Sequence, residues 1–225
     1  MDDLTGKILN ELECETVFKI GKIGIKESVV VTWIIMAVVI LLCIVFVRNF
    51  RVENPGKKQL AIESAVTWLK SFITDMLGTE AAGYSEYICS IVIYIAVANI
   101  IGIFGYKPPT KDLNVTAGLA LMSIIAIEYA GIHRKGVKKW AKSFAEPMAV
   151  VAPINVLEIG IRPLSLCMRL FGNVVGSFVV MKLIEQLLPV GLPVVFSLYF
   201  DIFDGLIQAY IFVFLTSLFV KEAVE

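Results

Sequence analysis

Glu158, Arg162, Ser165, Arg169 and Asn173 follow one another in an apolar stretch at intervals of four, three, four and four, and Gly176 continues the series. On a helix that spacing puts them all on one face. A second apolar stretch carries Ser197, Asp201, Asp204 or Gly205, and Gln208 at similar spacing. Two facing helices would thus present two polar stripes. A charge near the middle of a membrane helix costs at least about 2.5–3.5 kcal/mol on insertion scales, so such residues face a partner, a water-filled path or the bundle interior. Arg169 must therefore be answered, by Asp201, Asp204 or Glu158 within the chain or by a carboxylate on another subunit. A guanidinium stays charged at any physiological pH and cannot relay a proton as a histidine or carboxylate could. Its chemistry is that of a fixed positive charge, which favours the ionised form of any carboxylate brought beside it.

Other polar residues read more simply. Arg162, Lys182, Glu185 and Glu128 fit snorkelling or interface positions, Lys182 and Glu185 being three apart near a segment end. Asn99 suits a hydrogen bond to a neighbouring helix. Cys14, Cys43, Cys89 and Cys167 are scattered without a C-x-x-C, and His133 is the single histidine, which supports neither a zinc site nor a disulfide framework. No G-x-x-x-x-G-K-[ST], H-E-x-x-H or G-x-S-x-G occurs, so neither an enzyme activity nor a cofactor is expected.

The elements that must position these residues follow from hydropathy. Of the 225 residues 58% are hydrophobic, with a mean hydropathy of +0.82, which makes a bilayer the expected solvent. Lysine plus arginine equals aspartate plus glutamate at 20 each, so no charge bias points to nucleic acid. Residues 29–47 carry no charge and form a first span, retained as an anchor because no cleavage-site pattern follows it. Residues 1–28 precede it as an external segment. Residues 57–79 place Ile62, Val66, Leu69, Ile73 and Met76 on one face, an amphipathic helix that lies on the membrane surface or packs on other protein.

Residues 84–104 and 113–132 are the second and third spans, joined by a connector whose Pro108 and Pro109 cannot continue a helix, with Asp112 or Asn114 capping the third. A basic segment, 133–146, follows. Residues 147–188 would form a helix of about 60 Å, twice the bilayer's thickness, so hydropathy allows two crossings near Gly172-Asn173 or one steeply tilted helix. Pro189 and Pro193 bracket a turn before the last span, 193–220. The expected fold is an all-α integral membrane protein of about five membrane helices plus the surface helix. Every basic cluster falls on one side, which the positive-inside rule makes cytoplasmic, with the N-terminus outside and the C-terminus inside.

The run RPLSLCMRLFGN (162–173) resembles the signature of the a subunit of F-type ATP synthases, the stator part of the membrane sector. PPTKDLNVTAGLAL (108–121) and DGLIQAYIFVFLT (204–216) extend the resemblance in order, so that it covers most of the chain from about residue 80 onward. It implies two long, tilted helices forming a hairpin against a rotating ring of c subunits, with b subunits of the peripheral stalk, the rest of the synthase and membrane lipid as further neighbours. ATP chemistry then lies on other subunits, and a bacterial plasma membrane is the expected setting. By the same resemblance Arg169 matches the family's essential arginine. Asn173 and Gln208 match polar residues lining two offset half-channels for protons or sodium ions, and Glu158 matches an acidic position upstream. The chain departs from the pattern where some members carry a glutamate and a histidine, having Phe178 and Asp201 instead. Its outer half-channel would then draw its acidic lining from Asp201 and Asp204.

The alternative is a secondary transporter in which Arg169 binds an anionic substrate and the aspartates a coupling ion. The lack of an internal repeat and the small number of spans weigh against it. A purely structural membrane subunit would leave two polar stripes in apolar helices without a reason.

Overall fold

The computed structural model describes residues 16–20, 23–48, 50–51, 56–104, 106–143, 152–187 and 191–224. Expectations for Cys14, for Pro189, for residues 1–15 and 144–146, and for the start of the long helix at 147–151 lie outside the described residues.

The segment before the first span, for which the sequence suggested no element, contains a short antiparallel hairpin of β1 (Thr16–Ile20) and β2 (Ile23–Lys26). It leads directly into α1 (Glu27–Val47), two residues ahead of the uncharged run. α2 (Lys57–Leu77) is the amphipathic element. Only Ile73 and Leu77 near its C-terminal end are buried, while Leu60, Val66 and Trp68 stay exposed, so α2 touches the bundle by one end. α3 (Ser85–Ile100) ends in a 3₁₀ turn, Ile101–Phe104, and the proline-bearing connector makes another, Pro109–Lys111. α4 (Leu113–Lys135) is capped by Asp112, whose carboxylate accepts from the Asn114 amide at 3.0 Å. Gly136 adopts φ +77°, the left-handed turn that releases the chain into α5 (Val137–Ser143).

α6 (Ala152–Leu187) is one helix of 36 residues with Pro163 inside it, which removes the two-crossing option that hydropathy left open. Pro193 belongs to the first turn of α7 (Leu192–Ser197) rather than to the preceding turn, a position where its missing N–H has no helical partner to lose. The last span is not a plain α-helix. Residues Leu198–Asp204 form a π turn before α8 (Gly205–Val224). Such wide turns are rare and gather at functional sites.

α3, α4, α6 and α8 share a core that includes Ile88, Ile95, Ile127, Leu166, Leu170, Phe212, Val213 and Val220. α1 packs against α3 in a separate, smaller cluster of Val31, Ile35 and Ala98, and its outward side chains, such as Leu41 and Ile44, are 60% and 65% exposed. Among the described residues five helices are long and apolar enough to cross a membrane. With hydrocarbon as solvent, the outward apolar faces need no further cover. The chain is a multi-pass membrane protein.

The bundle has two distinct ends. One gathers Glu80, Arg134, Gly131 and Ala223, with an Arg134–Glu80 ion pair at 3.2 Å, and is called the basic end. The other gathers the connector, the hairpin and the π turn, and is called the connector end. Its tie is Asp112, which accepts from the Ser28 hydroxyl at 2.7 Å and lies 3.5 Å from the Lys26 ammonium, while Lys107 pairs with Glu27 at 3.4 Å.

Candidate functional site

Arg169 lies on α6, partly buried, one turn from Asn173 and two from Arg162. Its guanidinium makes no hydrogen bond or ion pair with any described residue. None of its three expected partners within the chain answers it. Asp201 accepts from the Ser197 hydroxyl at 2.6 Å, Asp204 from Ser177 at 3.2 Å, and Glu158 from Arg162 at 3.0 Å. The strip beside Arg169 is made of Ser165, Gly172 and Gly176, all exposed, with nothing within 4 Å of where a Cβ would stand on either glycine. The charge therefore sits on a face where another helix can come close.

Toward the connector end the two polar stripes do meet. Asn173 donates its amide to the side-chain oxygen of the buried Gln208 at 2.5 Å. One turn further along α6, Ser177 reaches both the Asn173 carbonyl at 2.7 Å and the Asp204 carboxylate. Sequence reasoning missed Ser177 although it continues the four-residue series past Asn173. Beyond these lies a cavity of about 420 Å³ whose lining includes Gln208, Ser177, Asp204, Asp201, Asn99 and Gly102. Lys107, Lys182 and Glu185 also border it. Phe178 turns its ring to the Lys111 ammonium at 3.6 Å, with that of Lys182 at 5.8 Å. An aromatic face attracts such cations through its ring quadrupole.

Asp201 and Asp204 border this cavity from the π turn. Asn99, buried on α3, donates to the carbonyl of Gly205, the residue that follows the turn, at 3.0 Å, and accepts from Thr110 at 2.9 Å. The expected interhelical hydrogen bond of Asn99 thus braces the turn that carries the two aspartates.

Toward the basic end a second cavity, of about 230 Å³, is bordered by Glu128, Asn155, Glu158, Arg162 and Glu222. Arg162 is held there by Glu158 on its own helix and by Glu222 on α8 at 2.7 Å, with its guanidinium 4.7 Å from the centre of the Phe219 ring. Glu128 accepts from the Trp140 indole at 2.9 Å. The role of Glu222 was not visible in the sequence, because its partner lies 60 residues away. Ser165 makes no hydrogen bond among the described residues. Arg169 borders neither cavity and lies along α6 between the residues that border each.

Known proteins resemble this chain along most of its length. The family described as ATP synthase A chain matches residues 29–221. A Bradyrhizobium protein named ATP synthase subunit a 2 is 33% identical, the match covering 92% of each chain. ATP synthase subunit a of Moorella thermoacetica is 31% identical over 93% of this chain and 95% of its own length. A Propionigenium modestum protein named as the sodium ion specific subunit a is 29% identical over 88% of this chain and 73% of its own length. A match across nearly the whole length, together with the arginine between two polar cavities, means that the chain belongs to the ATP synthase subunit a family, the ion-translocating stator subunits of F-type ATP synthases.

Proposed function

We propose that the two cavities are the half-channels of this subunit and that Arg169 is the electrostatic gate between them. The observation that carries this reading is the contrast between an unanswered cation on an open helix face and polar cavities approaching it from opposite ends. The connector end faces outward, because the basic clusters at the other end belong in the cytoplasm by the positive-inside rule. This orientation supports an N-terminus outside and a C-terminus inside, and the bacterial relatives support a bacterial plasma membrane as the setting.

The partner at the open face is a ring of c subunits, each bringing a carboxylate past Arg169, while the apolar outer faces meet lipid and the b subunits of the peripheral stalk. The strip of Ser165, Gly172 and Gly176 gives a ring helix room to approach. A carboxylate arriving beside Arg169 is held ionised and releases its proton or sodium ion to one half-channel, and the next site loads from the other. The guanidinium keeps its charge throughout, so no ion crosses directly between the cavities. Asn173, Gln208, Asp201 and Asp204 line the outer path, and Glu158 borders the inner one. The subunit performs no bond chemistry; it meters charge. Each charge crossing the bilayer carries about 2.3 kcal/mol per 100 mV, so several ions are coupled to each ATP through rotation.

The test is ATP-driven acidification of inverted vesicles holding the intact complex, with sodium uptake measured in parallel. Arg169→Ala should abolish pumping of either ion while the complex still assembles. Unchanged pumping would make the arginine structural and overturn the gate. Copurification without a ring of small hydrophobic subunits would favour the transporter alternative.

A further inference from the structure

α3 and the 3₁₀ turn after it approach the last span closely at two glycines, and the two contacts differ in kind. A Cβ on Gly205 would lie 2.9 Å from the Asn99 Cβ, an atom fixed by the backbone of α3 and by the two buried hydrogen bonds of its side chain. A Cβ on Gly102 would lie 2.8 Å from Oδ1 of Asp201 and 3.2 Å from its Cγ. That neighbour is the end of a side chain, held on its far side by the Ser197 hydroxyl at Oδ2. The backbone at Gly102 does not require glycine, since its φ is not among the positive values. Only the space does. Both residues border the outer cavity, so a carboxylate displaced from Gly102 moves into that cavity.

We propose that Gly102 is a positioning residue for the outer half-channel: the missing side chain there sets where the Asp201 carboxylate stands in the cavity. The inference rests on the reading of Asp201 as part of the outer path. A methyl group at 102 drives the carboxylate off the α3 wall and works against its short bond to Ser197, leaving the backbone in place. Gly102 therefore acts through Asp201 and through nothing else.

A double-mutant cycle in the intact complex tests this, using Gly102→Ala, Asp201→Ala and the pair. Pumping per assembled complex is measured in inverted vesicles, and the ATP-synthesis rate is followed against pH on the outer side. Asp204, Glu185, Lys107 and Lys182 share the cavity and are unchanged in all four proteins. Gly102→Ala should lower pumping severalfold and displace the pH profile at normal assembly, while the pair should match Asp201→Ala alone. Native rate and profile in Gly102→Ala, loss of its assembly, or an equal further loss when it is added to Asp201→Ala would each overturn the inference. An unaffected Asp201→Ala would instead remove the reading of Asp201 beneath it. Gly205→Ala supplies the structural contrast, with less assembled complex expected.

Discussion

Arg162 and Arg169 lie seven residues apart on one face of one helix, yet their surroundings are opposite. Arg162 has a side chain only 14% exposed, two glutamates within 3.0 Å and an aromatic ring beneath it. Arg169, also partly buried, has neither an acidic partner nor a ring beneath it among the described residues. About 10 Å of helix separates them. The same residue type thus does two kinds of work: a cation answered within the chain fastens α6 to α8, and a cation left unanswered is kept for a charge that comes and goes. Asp112 belongs with Arg162, since its carboxylate ties α1 and the connector to α4.

The largest expected effect breaks this division at Arg169. Arg169→Lys keeps the charge and most of the length, but a desolvated ammonium can release its proton where a guanidinium cannot. Coupled pumping should fall roughly tenfold or more, the factor that corresponds to one pKa unit, with the complex assembled and its thermal stability unchanged. Coupled pumping at the native rate would show that any cation serves and that the gate argument is wrong.

Arg162→Ala should do the reverse. Glu158 and Glu222 are 48% and 57% exposed, so the pair stands between a surface bridge and a buried one. A loss of about 1–2 kcal/mol lies between those limits. It should be visible as a lower unfolding temperature of the detergent-solubilised complex, with pumping per assembled complex largely kept. If Arg162→Ala stopped pumping at unchanged stability, the two arginines would have to be treated as one functional unit.

What could be read from the chain alone follows the same line between local and distant causes. The apolar runs and the stripe from Glu158 to Asn173 are local patterns, written in hydropathy and in intervals of three and four. Asp112 as a helix cap is local too, two residues from the amide it accepts from. The π turn is not, because a pattern of helical spacing over Ser197–Gln208 looks the same with or without it. Its bracing comes from Asn99, 106 residues before the carbonyl it answers. Likewise Phe178 read as a lost carboxylate, and only the folded chain shows Lys111 against its ring. The absence of a partner for Arg169 was the least readable feature, since three nearby carboxylates were available and each proved to be engaged elsewhere.

A pH-dependent effect on stability sharpens the comparison from the side of the fasteners. Burial alone would raise the pKa of Asp112, but the Ser28 hydroxyl, the Asn114 amide and the Lys26 charge outweigh it and hold the carboxyl below its usual range. A carboxyl whose folded pKa is depressed stabilises the protein above its unfolded value, near 4 on model scales, and the contribution disappears as pH falls through the folded value. Asp112→Ala should therefore cost about 1–3 kcal/mol at neutral pH, mainly through the lost hydrogen bonds. The gap from native should narrow as the outer pH drops below about 4. Asp112→Asn keeps one acceptor oxygen, enough to cap α4 but not to accept from Ser28 as well, and it loses the attraction to Lys26, so it should fall between the two. Thermal unfolding of the three proteins across this range decides the matter, because a gap that stayed constant with pH would mean that shape and not charge ties the connector to α1. Pumping per assembled complex should stay near native in both variants, as Arg162→Ala should leave it, if Asp112 and Arg162 serve the fold alone.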